Sequence, residues 1–155
     1  MAINQRKLDS ECEHYCGELR NKVVLQRKYP KQGRAAYWDY PTMASVCQSS
    51  KYSHRKKNFS RPMRSCNQLL LEKINQHGTL GEKATKNKPN YNNTHNYPLG
   101  NCAEQHAAND VLNEIDRHHQ QKDLQDLFFS TAMQVRDNRP QPACVNCRML
   151  LPNAK

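Results

Sequence analysis

Apolar residues near the start of the chain recur at the spacing of one helical face, which predicts an amphipathic helix over residues 3–20. The apolar positions of that face are Ile3, Leu8, Cys12, Tyr15 and Leu19. Shorter runs containing apolar and aromatic residues follow at 22–28 and 34–40, and we interpret these as two strands. Pro30 and Gly33 lie between the two runs, so we expect a β-hairpin there.

A second helical stripe predicts a helix over residues 63–76, which we expect to stop at Gly78. Its apolar positions are Met63, Cys66, Leu70 and Ile74. Residues 79–100 then show no periodicity and are rich in Lys, Asn, Tyr and Pro. Irregular segments of this length in compact domains are usually functional or disordered. Because this one leads directly into Cys102, we interpret it as a gate over a substrate site, with disorder as the alternative.

The clearest periodic pattern follows Cys102 and predicts an amphipathic helix. Its apolar face holds Ala103, Ala107, Ala108, Val111, Leu112 and Ile115, and its polar face holds Asn109, Asn113, Asp116 and Arg117. Residues 127–136 alternate with the period of a strand, and a short helix is expected from Cys144 onward. This succession places Cys102 and Cys144 at two helix starts on the same edge of a sheet.

Three cysteines in this part of the chain have the spacing of metal ligands. Cys144 and Cys147 are three residues apart and share one face of the expected helix, while Cys102 closes the site from the other helix start. Thiolates suit zinc, and a catalytic zinc site uses three protein ligands and keeps a fourth position for water. Glu104 follows Cys102 closely enough to reach that water without binding the metal. The pattern predicts one zinc ion per chain.

These residues resemble the zinc pattern of the cytidine deaminase superfamily, in which the glutamate is not a ligand. The sequences that carry the resemblance are Gly-Asn-Cys-Ala-Glu-Gln-His-Ala at 100–107 and Pro-Ala-Cys-Val-Asn-Cys at 142–147. They look most like the deaminase domains of bacterial polymorphic toxins, over residues 98–151. A cysteine stands where histidine is the commoner first ligand, and Pro142 stands two residues before Cys144 rather than one.

The resemblance implies an α/β fold with a cytidine deaminase-like small mixed sheet and helices packed on its faces. It also implies zinc-dependent hydrolysis of cytosine to uracil in a polynucleotide, with DNA favoured over RNA. Glu104 would then act as the general acid and base. Arg148, beside Cys147, is our candidate to compensate the negative charge of three thiolates on zinc.

The net charge of +10 lies almost entirely in residues 1–100, whereas residues 101–155 are close to neutral. We expect a single domain over 1–155, with a basic N-terminal part and insertion at 1–100 and a zinc and catalytic part at 101–155. Such a surplus attracts phosphate backbones independently of sequence. The positive charge therefore favours a nucleic-acid partner, single- or double-stranded. The resemblance to toxin domains implies an immunity protein as a second partner.

The segment at 49–64 mixes cations with rings, which suits a single strand because cations track the backbone and rings stack on bases. Its candidate backbone-binding cations are Lys51, Arg55, Lys56, Lys57, Arg61 and Arg64. The candidate substrate contacts are Tyr37, Trp38, Tyr91, Tyr97 and Asn101, with His95 also in the gate. The alternative for the basic segment is a solvated loop on a generally basic surface.

The sequence contains no apolar run that would cross a bilayer, and its first twenty residues are too charged for a secretory signal. We therefore expect a soluble, cytoplasmic protein without a membrane partner, which as a toxin domain would act in the cytosol of a target cell. Seven cysteines, an odd number, fit reduced thiols better than a disulfide framework.

Two other functions compete with a polynucleotide deaminase. A deaminase of free nucleosides or bases would use the same zinc site but has no need of a basic surface. A structural zinc module would instead pair Cys12 and Cys16 with Cys144 and Cys147 in a closed four-thiolate site. His106, within the helix after Cys102, is expected to pack near the metal rather than bind it.

Overall fold

The computed structural model describes residues 3–28, 41–86 and 97–154 of the chain. Within these residues, the elements follow in the order helix, two strands, two helices, three strands and a final helix, and a short 3-10 helix at Leu124–Asp126 precedes the third strand. The helices are α1 (Gln5–Lys28), α2 (Gln68–Asn75), α3 (Ala103–Arg117) and α4 (Val145–Leu150). The strands are β1 (Met43–Ser49), β2 (Arg55–Phe59), β3 (Leu127–Phe129), β4 (Ala132–Gln134) and β5 (Pro140–Gln141).

The five strands form one small open sheet with β1 at its centre. The strand order is β2-β1-β4-β5, and β3 pairs with β1 alongside β4. All the pairings among the described strands are antiparallel. The predicted α/β class is confirmed, whereas the sheet, which was expected to be mixed, is antiparallel among the described strands. Strand β1 joins the basic half of the chain to the half that carries the three cysteines.

Helices cover both faces of the sheet because residues of β1 alternate between two apolar clusters. Ala44 and Val46 pack with the buried face of α1, which includes Leu8 and Cys12. Cys47 points the other way, into a larger cluster built from α2, α3, β3 and α4. The face predicted for α3 is buried as expected, and it forms the centre of this second cluster.

The strand predicted at 127–136 is interrupted by a bulge. Cys47 pairs with Phe129, but Ala44 pairs with Met133, so the register shifts by one residue between β3 and β4. At the break, the Ser130 hydroxyl accepts a hydrogen bond from the Val46 amide at 2.9 Å, while the Ser130 amide donates to the Val46 carbonyl at 2.8 Å. A side-chain oxygen thus replaces a missing backbone partner, as bulges require.

The strand predicted at 22–28 is wrong, because α1 continues as helix through Lys28. Extending an existing helix adds a hydrogen bond for each residue fixed, and this outweighs the modest strand preference of two valines. The strand expected at 34–40 and its turn at 29–33 lie outside the described residues. The structure does contain a hairpin at β1–β2, so the basic segment, for which a solvated loop was the alternative, includes a strand.

Helix α2 begins later than predicted, at Gln68 rather than at residue 63. Asn67 caps it, since its side chain accepts a hydrogen bond from the Leu69 amide at 3.1 Å. At the other end, the Gly78 amide donates to the Ile74 carbonyl, consistent with the predicted stop. None of the helices described here is both long and apolar enough to span a lipid bilayer.

Candidate metal and active site

Two helix starts bring three cysteines together at one end of the sheet. Cys102 is the N-cap of α3, Cys144 is the N-cap of α4, and Cys147 lies in the first turn of α4. The Sγ atoms of Cys102 and Cys144 are 3.0 Å apart, and those of Cys144 and Cys147 are 3.7 Å apart. The predicted meeting of the three thiols is therefore confirmed, and the cluster can hold a metal ion.

The donor geometry is close to that of a tetrahedral thiolate site. Metal–sulfur bonds of about 2.3 Å at tetrahedral angles separate two sulfurs by about 3.8 Å. The distance from Cys144 to Cys147 matches this value, whereas the distance from Cys102 to Cys144 is shorter. All three sulfurs lie within 4.8 Å of one another.

The pKa values of the three thiols are shifted in opposite directions. Hydrogen bonding with the side chains of Cys102 and Cys147 lowers the pKa of Cys144. The same hydrogen bonds, together with burial, raise the pKa of Cys102 and of Cys147. Thiolates are the metal-binding form, so metal binding would release the protons that the cluster holds.

A tight turn positions Cys102 at the start of α3. Gly100 has φ of +91°, and a Cβ there would lie 2.6 Å from Cδ1 of Leu80 and 3.0 Å from Cβ of Met63. Only glycine satisfies both the left-handed backbone and the close approach. The packing of this turn therefore requires a glycine at position 100, two residues before Cys102.

Gln105 connects this turn to the thiols, a role that sequence analysis missed. Its side chain is completely buried, its oxygen accepts the Gly100 amide at 2.5 Å, and its nitrogen donates to Sγ of Cys147 at 3.4 Å. A glutamine on the otherwise apolar face of α3 was the one available signal. Its partners could not be identified, because they lie on different segments.

Glu104 is in the first turn of α3 and is 5% exposed. Burial raises the pKa of its carboxyl group to about 7; the nearby Cys144 sulfur adds to the rise, and a hydrogen bond from the Cys147 side chain opposes it. The carboxyl group therefore lies against the thiols without being one of the three clustered ligands. It can exist in protonated and ionised forms near neutral pH.

A cavity of about 340 Å³ opens onto these groups. Its lining includes Cys102, Glu104 and Cys144, together with three of the predicted residues, Tyr97, Asn101 and Arg148. Residues that the sequence did not predict complete the walls, and these include Thr42, Met43, Ser60, Ala132 and Gln141. The volume falls within the lower range of small-molecule sites.

The rim of the cavity is held in place by Asn146, whose side chain donates to the Tyr97 carbonyl at 2.7 Å. Tyr97 itself is 45% exposed. The other predicted ring contacts, Tyr37, Trp38 and Tyr91, lie outside the described residues, as does His95. The gate over the cavity therefore stays a prediction, and of its residues 79–100 the structure describes 79–86 and 97–100.

The basic segment has a more structured environment than the sequence suggested. Its three central cations lie on β2 and pair with glutamates of α1 and α3. The pairs are Arg55 with Glu11 at 2.7 Å, Lys56 with Glu114 at 3.6 Å and Lys57 with Glu18 at 3.7 Å. Each of these glutamates reduces the positive field that its cation presents to a partner.

The remaining cations of the segment contact rings or are exposed. Lys51 lies over the Tyr52 ring at 5.4 Å, and Arg61 lies over the Phe59 ring at 4.4 Å. Arg64 is exposed. Arg61 is also close to the cavity, because its amide donates to the Asn101 carbonyl at 3.0 Å.

The four-thiolate alternative is wrong for the structure as described. Cys12 and Cys16 are buried between α1 and the sheet, where the Cys12 thiol donates to the Ala44 carbonyl at 3.4 Å. Neither residue belongs to the cluster formed by the other three cysteines. His106 packs as predicted, with Nε2 2.7 Å from the Arg61 carbonyl, and is not among the clustered ligands.

The site combines three soft donors, a buried carboxyl group and a cavity lined by that carboxyl group and by two of the donors, Cys102 and Cys144. Such an arrangement can bind a metal ion and move a proton at the cavity wall. Comparison with known proteins returned no match, since no protein-family model, curated protein or solved structure matches the chain.

Proposed function

We propose that this chain is a zinc-dependent hydrolytic deaminase that converts cytosine to uracil within a polynucleotide, with DNA favoured over RNA. The observation that carries the proposal is that Glu104 lines the same cavity as Cys102 and Cys144. A carboxyl group buried beside a cluster of metal-binding thiols, and facing a space for substrate, is the arrangement that hydrolytic deamination requires.

The donor set favours zinc as the metal. Thiolates are soft ligands, and three of them leave a tetrahedral ion one position for water or substrate. Zinc held here would supply a Lewis acid that makes water a nucleophile near neutral pH. Arg148 lines the cavity and would offset the net negative charge that three thiolates create around one divalent ion.

Glu104 performs the proton transfers in this mechanism. Its carboxylate accepts a proton from the attacking water and delivers it to the ring nitrogen of cytosine, N3. The oxygen of that water then forms a bond to C4 of the ring. A second proton is transferred to the exocyclic nitrogen, and the bond between C4 and that nitrogen breaks. One water is consumed, and uracil and ammonia are the products.

Substrate binding is assigned to the rim and to the cations that are least engaged by carboxylates. Tyr97 is placed to stack on an extruded base, and Asn101 to hydrogen-bond to it or to its sugar. Arg61 and Arg64 would contact the phosphates on either side. In a toxin of this class, the chain would act in the cytosol of a target cell and be restrained by an immunity protein.

The test compares the wild type with Glu104→Gln on zinc-loaded protein. Single- and double-stranded DNA and RNA oligonucleotides are incubated with each and scored for conversion of cytosine to uracil. We expect turnover by the wild type, loss of turnover in Glu104→Gln by at least about a hundredfold, and unchanged zinc content. Glu72→Gln, an exposed substitution on α2, is the matched control and should retain full activity. A wild type that converts no cytosine in any substrate would refute the proposal.

Deamination of a free nucleoside is the second candidate, and the ion pairs favour it. Three of the six cations assigned to nucleic acid are paired with Glu11, Glu114 and Glu18. The small cavity also suits a substrate without flanking nucleotides. Incubation with cytidine and deoxycytidine in the same assay decides between the two, because turnover of nucleoside without turnover of oligonucleotide would support this candidate alone.

A further inference from the structure

A second group of metal-binding side chains lies at the opposite end of α3 from the thiols. Glu114 is in the last turn of α3, His118 caps its C-terminus, and His54 lies in the turn between β1 and β2. One ligand atom from each of these residues lies within 4.8 Å of the others. At 1.5 Å of rise per residue, His118 is about 24 Å along the helix from Cys102, so the two groups are separate.

We propose that His54, Glu114 and His118 form a binding site for a divalent transition-metal ion, with Zn²⁺ as the expected occupant. Two imidazole nitrogens and one carboxylate oxygen are donors that zinc accepts, with the remaining positions left to water. The site would join the β1–β2 turn to the end of α3. It would thereby tie the sheet to the helix that carries Cys102 at its other end.

The distance between two of the donors supports this inference. Oε1 of Glu114 and Nε2 of His118 are 3.3 Å apart. Two ligands at about 2.0–2.1 Å from one tetrahedral ion are separated by about 3.3 Å. Because the two residues are four positions apart on a helix, their backbones already hold them on one face.

The two oxygens of the Glu114 carboxylate contact different partners. Oε2 of Glu114 contacts Nε of Arg117 at 2.9 Å and Nζ of Lys56 at 3.6 Å. Oε1 faces His118. A metal ion at Oε1 would therefore leave the contacts of Oε2 in place, although the two nearby cations would keep its affinity below that of the thiol cluster.

His54 is oriented by a neighbour of the kind that metal-bound histidines usually have. Its Nε2 lies 2.8 Å from the side-chain oxygen of Gln120. Ligating histidines commonly donate their other ring N–H to such an oxygen, which fixes the ring and its tautomer. Donation from Nε2 leaves the lone pair of a neutral ring on Nδ1.

The two histidine rings must turn relative to each other before both can share one ion with the carboxylate. The rings of His54 and His118 are stacked, with centroids 4.8 Å apart and planes inclined by 24°. The His118 side chain is 53% exposed, so its ring can rotate with little loss of packing. Metal binding would thus replace a ring stack and a histidine–glutamate contact by direct coordination.

The experiment titrates the full chain with Zn²⁺ and, in parallel, with Co²⁺ followed by optical spectroscopy. We expect the first equivalent of metal ion to bind tightly and, with Co²⁺, to produce intense thiolate-to-cobalt charge-transfer bands. A second equivalent should bind more weakly and add only faint visible bands, which are typical of nitrogen and oxygen ligands. His54→Ala and His118→Ala should each weaken the second equivalent by at least about tenfold and leave the first unchanged. Circular dichroism checks that both variants remain folded.

Two matched controls separate coordination from general surface binding. His119→Ala removes a neighbouring histidine that is not in the cluster. His14→Ala removes one that contacts a glutamate four residues along α1 but, among the described residues, belongs to no group of three possible ligands. Both should bind the weaker equivalent as the wild type does. The inference is overturned if no such equivalent binds, if His54→Ala and His118→Ala bind it normally, or if His119→Ala loses it equally.

Discussion

The side-chain nitrogen of Gln105 lies 3.4 Å from Sγ of Cys147, and both side chains are completely buried. A hydrogen bond to a thiolate withdraws negative charge from the sulfur and fixes its direction, so Gln105 supports the metal cluster without being a ligand. The glutamine also accepts the Gly100 amide, which links the turn before Cys102 to the helix that carries Cys147.

Gln105→Met should therefore weaken metal binding while preserving the volume of the core. We expect the metal affinity to fall by about 10–100-fold, as is typical when a partner of a metal ligand is removed. Competition with a chromogenic chelator measures this affinity. Gln125→Met, in the 3-10 helix away from the cluster, is the control and should bind as the wild type does. Equal affinities for Gln105→Met and the wild type would contradict this role.

The turn before Cys102 gives a prediction about stability. Gly100→Ala places a Cβ at φ of +91° and into contact with Leu80 and Met63, so we expect destabilisation of about 1–3 kcal/mol or more. Gly17→Ala is the opposite case, because Gly17 lies inside α1 and, among the described residues, a Cβ there meets only the end of the Arg20 side chain at 3.6 Å. This change should stabilise the protein by up to about 1 kcal/mol. Urea unfolding of both variants measures whether the free energy of unfolding decreases for Gly100→Ala and increases for Gly17→Ala.

His106 gives a prediction about pH. Burial lowers the pKa of His106 below its ordinary value of 6.5, although the hydrogen bond to the Arg61 carbonyl partly opposes this. The unfolded chain therefore binds a proton at this residue more readily than the folded chain. The free energy of unfolding should consequently fall as the pH decreases below 6.5, and the loss should be complete once the pH passes below the folded pKa.

Urea unfolding at several pH values between neutral and mildly acidic conditions measures this effect. The His106→Gln variant should show a shallower decrease of stability on acidification than the wild type. His14→Gln, which removes an exposed histidine of α1, is the comparison variant for loss of a histidine outside the core. A titration of the His106 ring by NMR gives its pKa directly, and a value at or above 6.5 would oppose the prediction.

The thiol cluster was predictable because its determinants are local. Cys102 and Cys144 each precede a short apolar periodic pattern, so both helix starts could be identified from neighbouring residues. The spacing of Cys144 and Cys147 then fixed their common face. By contrast, Gln105 contacts Gly100 and Cys147 only after α3 and α4 have packed together, and a single sequence contains no signal for that contact.

The β1–β2 hairpin was missed for a related reason. Arg55, Lys56 and Lys57 make β2 resemble a solvated loop, and consecutive cations are unfavourable in an isolated strand. They are accommodated because β2 is an edge strand whose cations meet glutamates from helices on both faces of the sheet. Those glutamates are far away in sequence, so only the tertiary structure provides the compensating charge.

The same ion pairs predict which cations matter for a polynucleotide. Arg64 is exposed, and among the described residues no carboxylate is paired with it, whereas Lys57 contacts Glu18 at 3.7 Å and lies over the Tyr15 ring at 5.4 Å. Releasing Lys57 to a phosphate would sacrifice both contacts. Arg64→Gln should therefore weaken binding to a single-stranded oligonucleotide and reduce the slope of log affinity against log salt by about one.

Lys57→Gln is the matched control, since it removes the same charge from the same segment. Its effect on the salt slope should be clearly smaller than that of Arg64→Gln, because Glu18 already neutralises part of the field of Lys57. Fluorescence anisotropy over a series of salt concentrations measures both slopes. Equal slopes for the two variants would mean that net charge alone governs binding. A larger effect of Lys57→Gln would instead place the nucleic acid across β2, away from the segment that leads to the cavity.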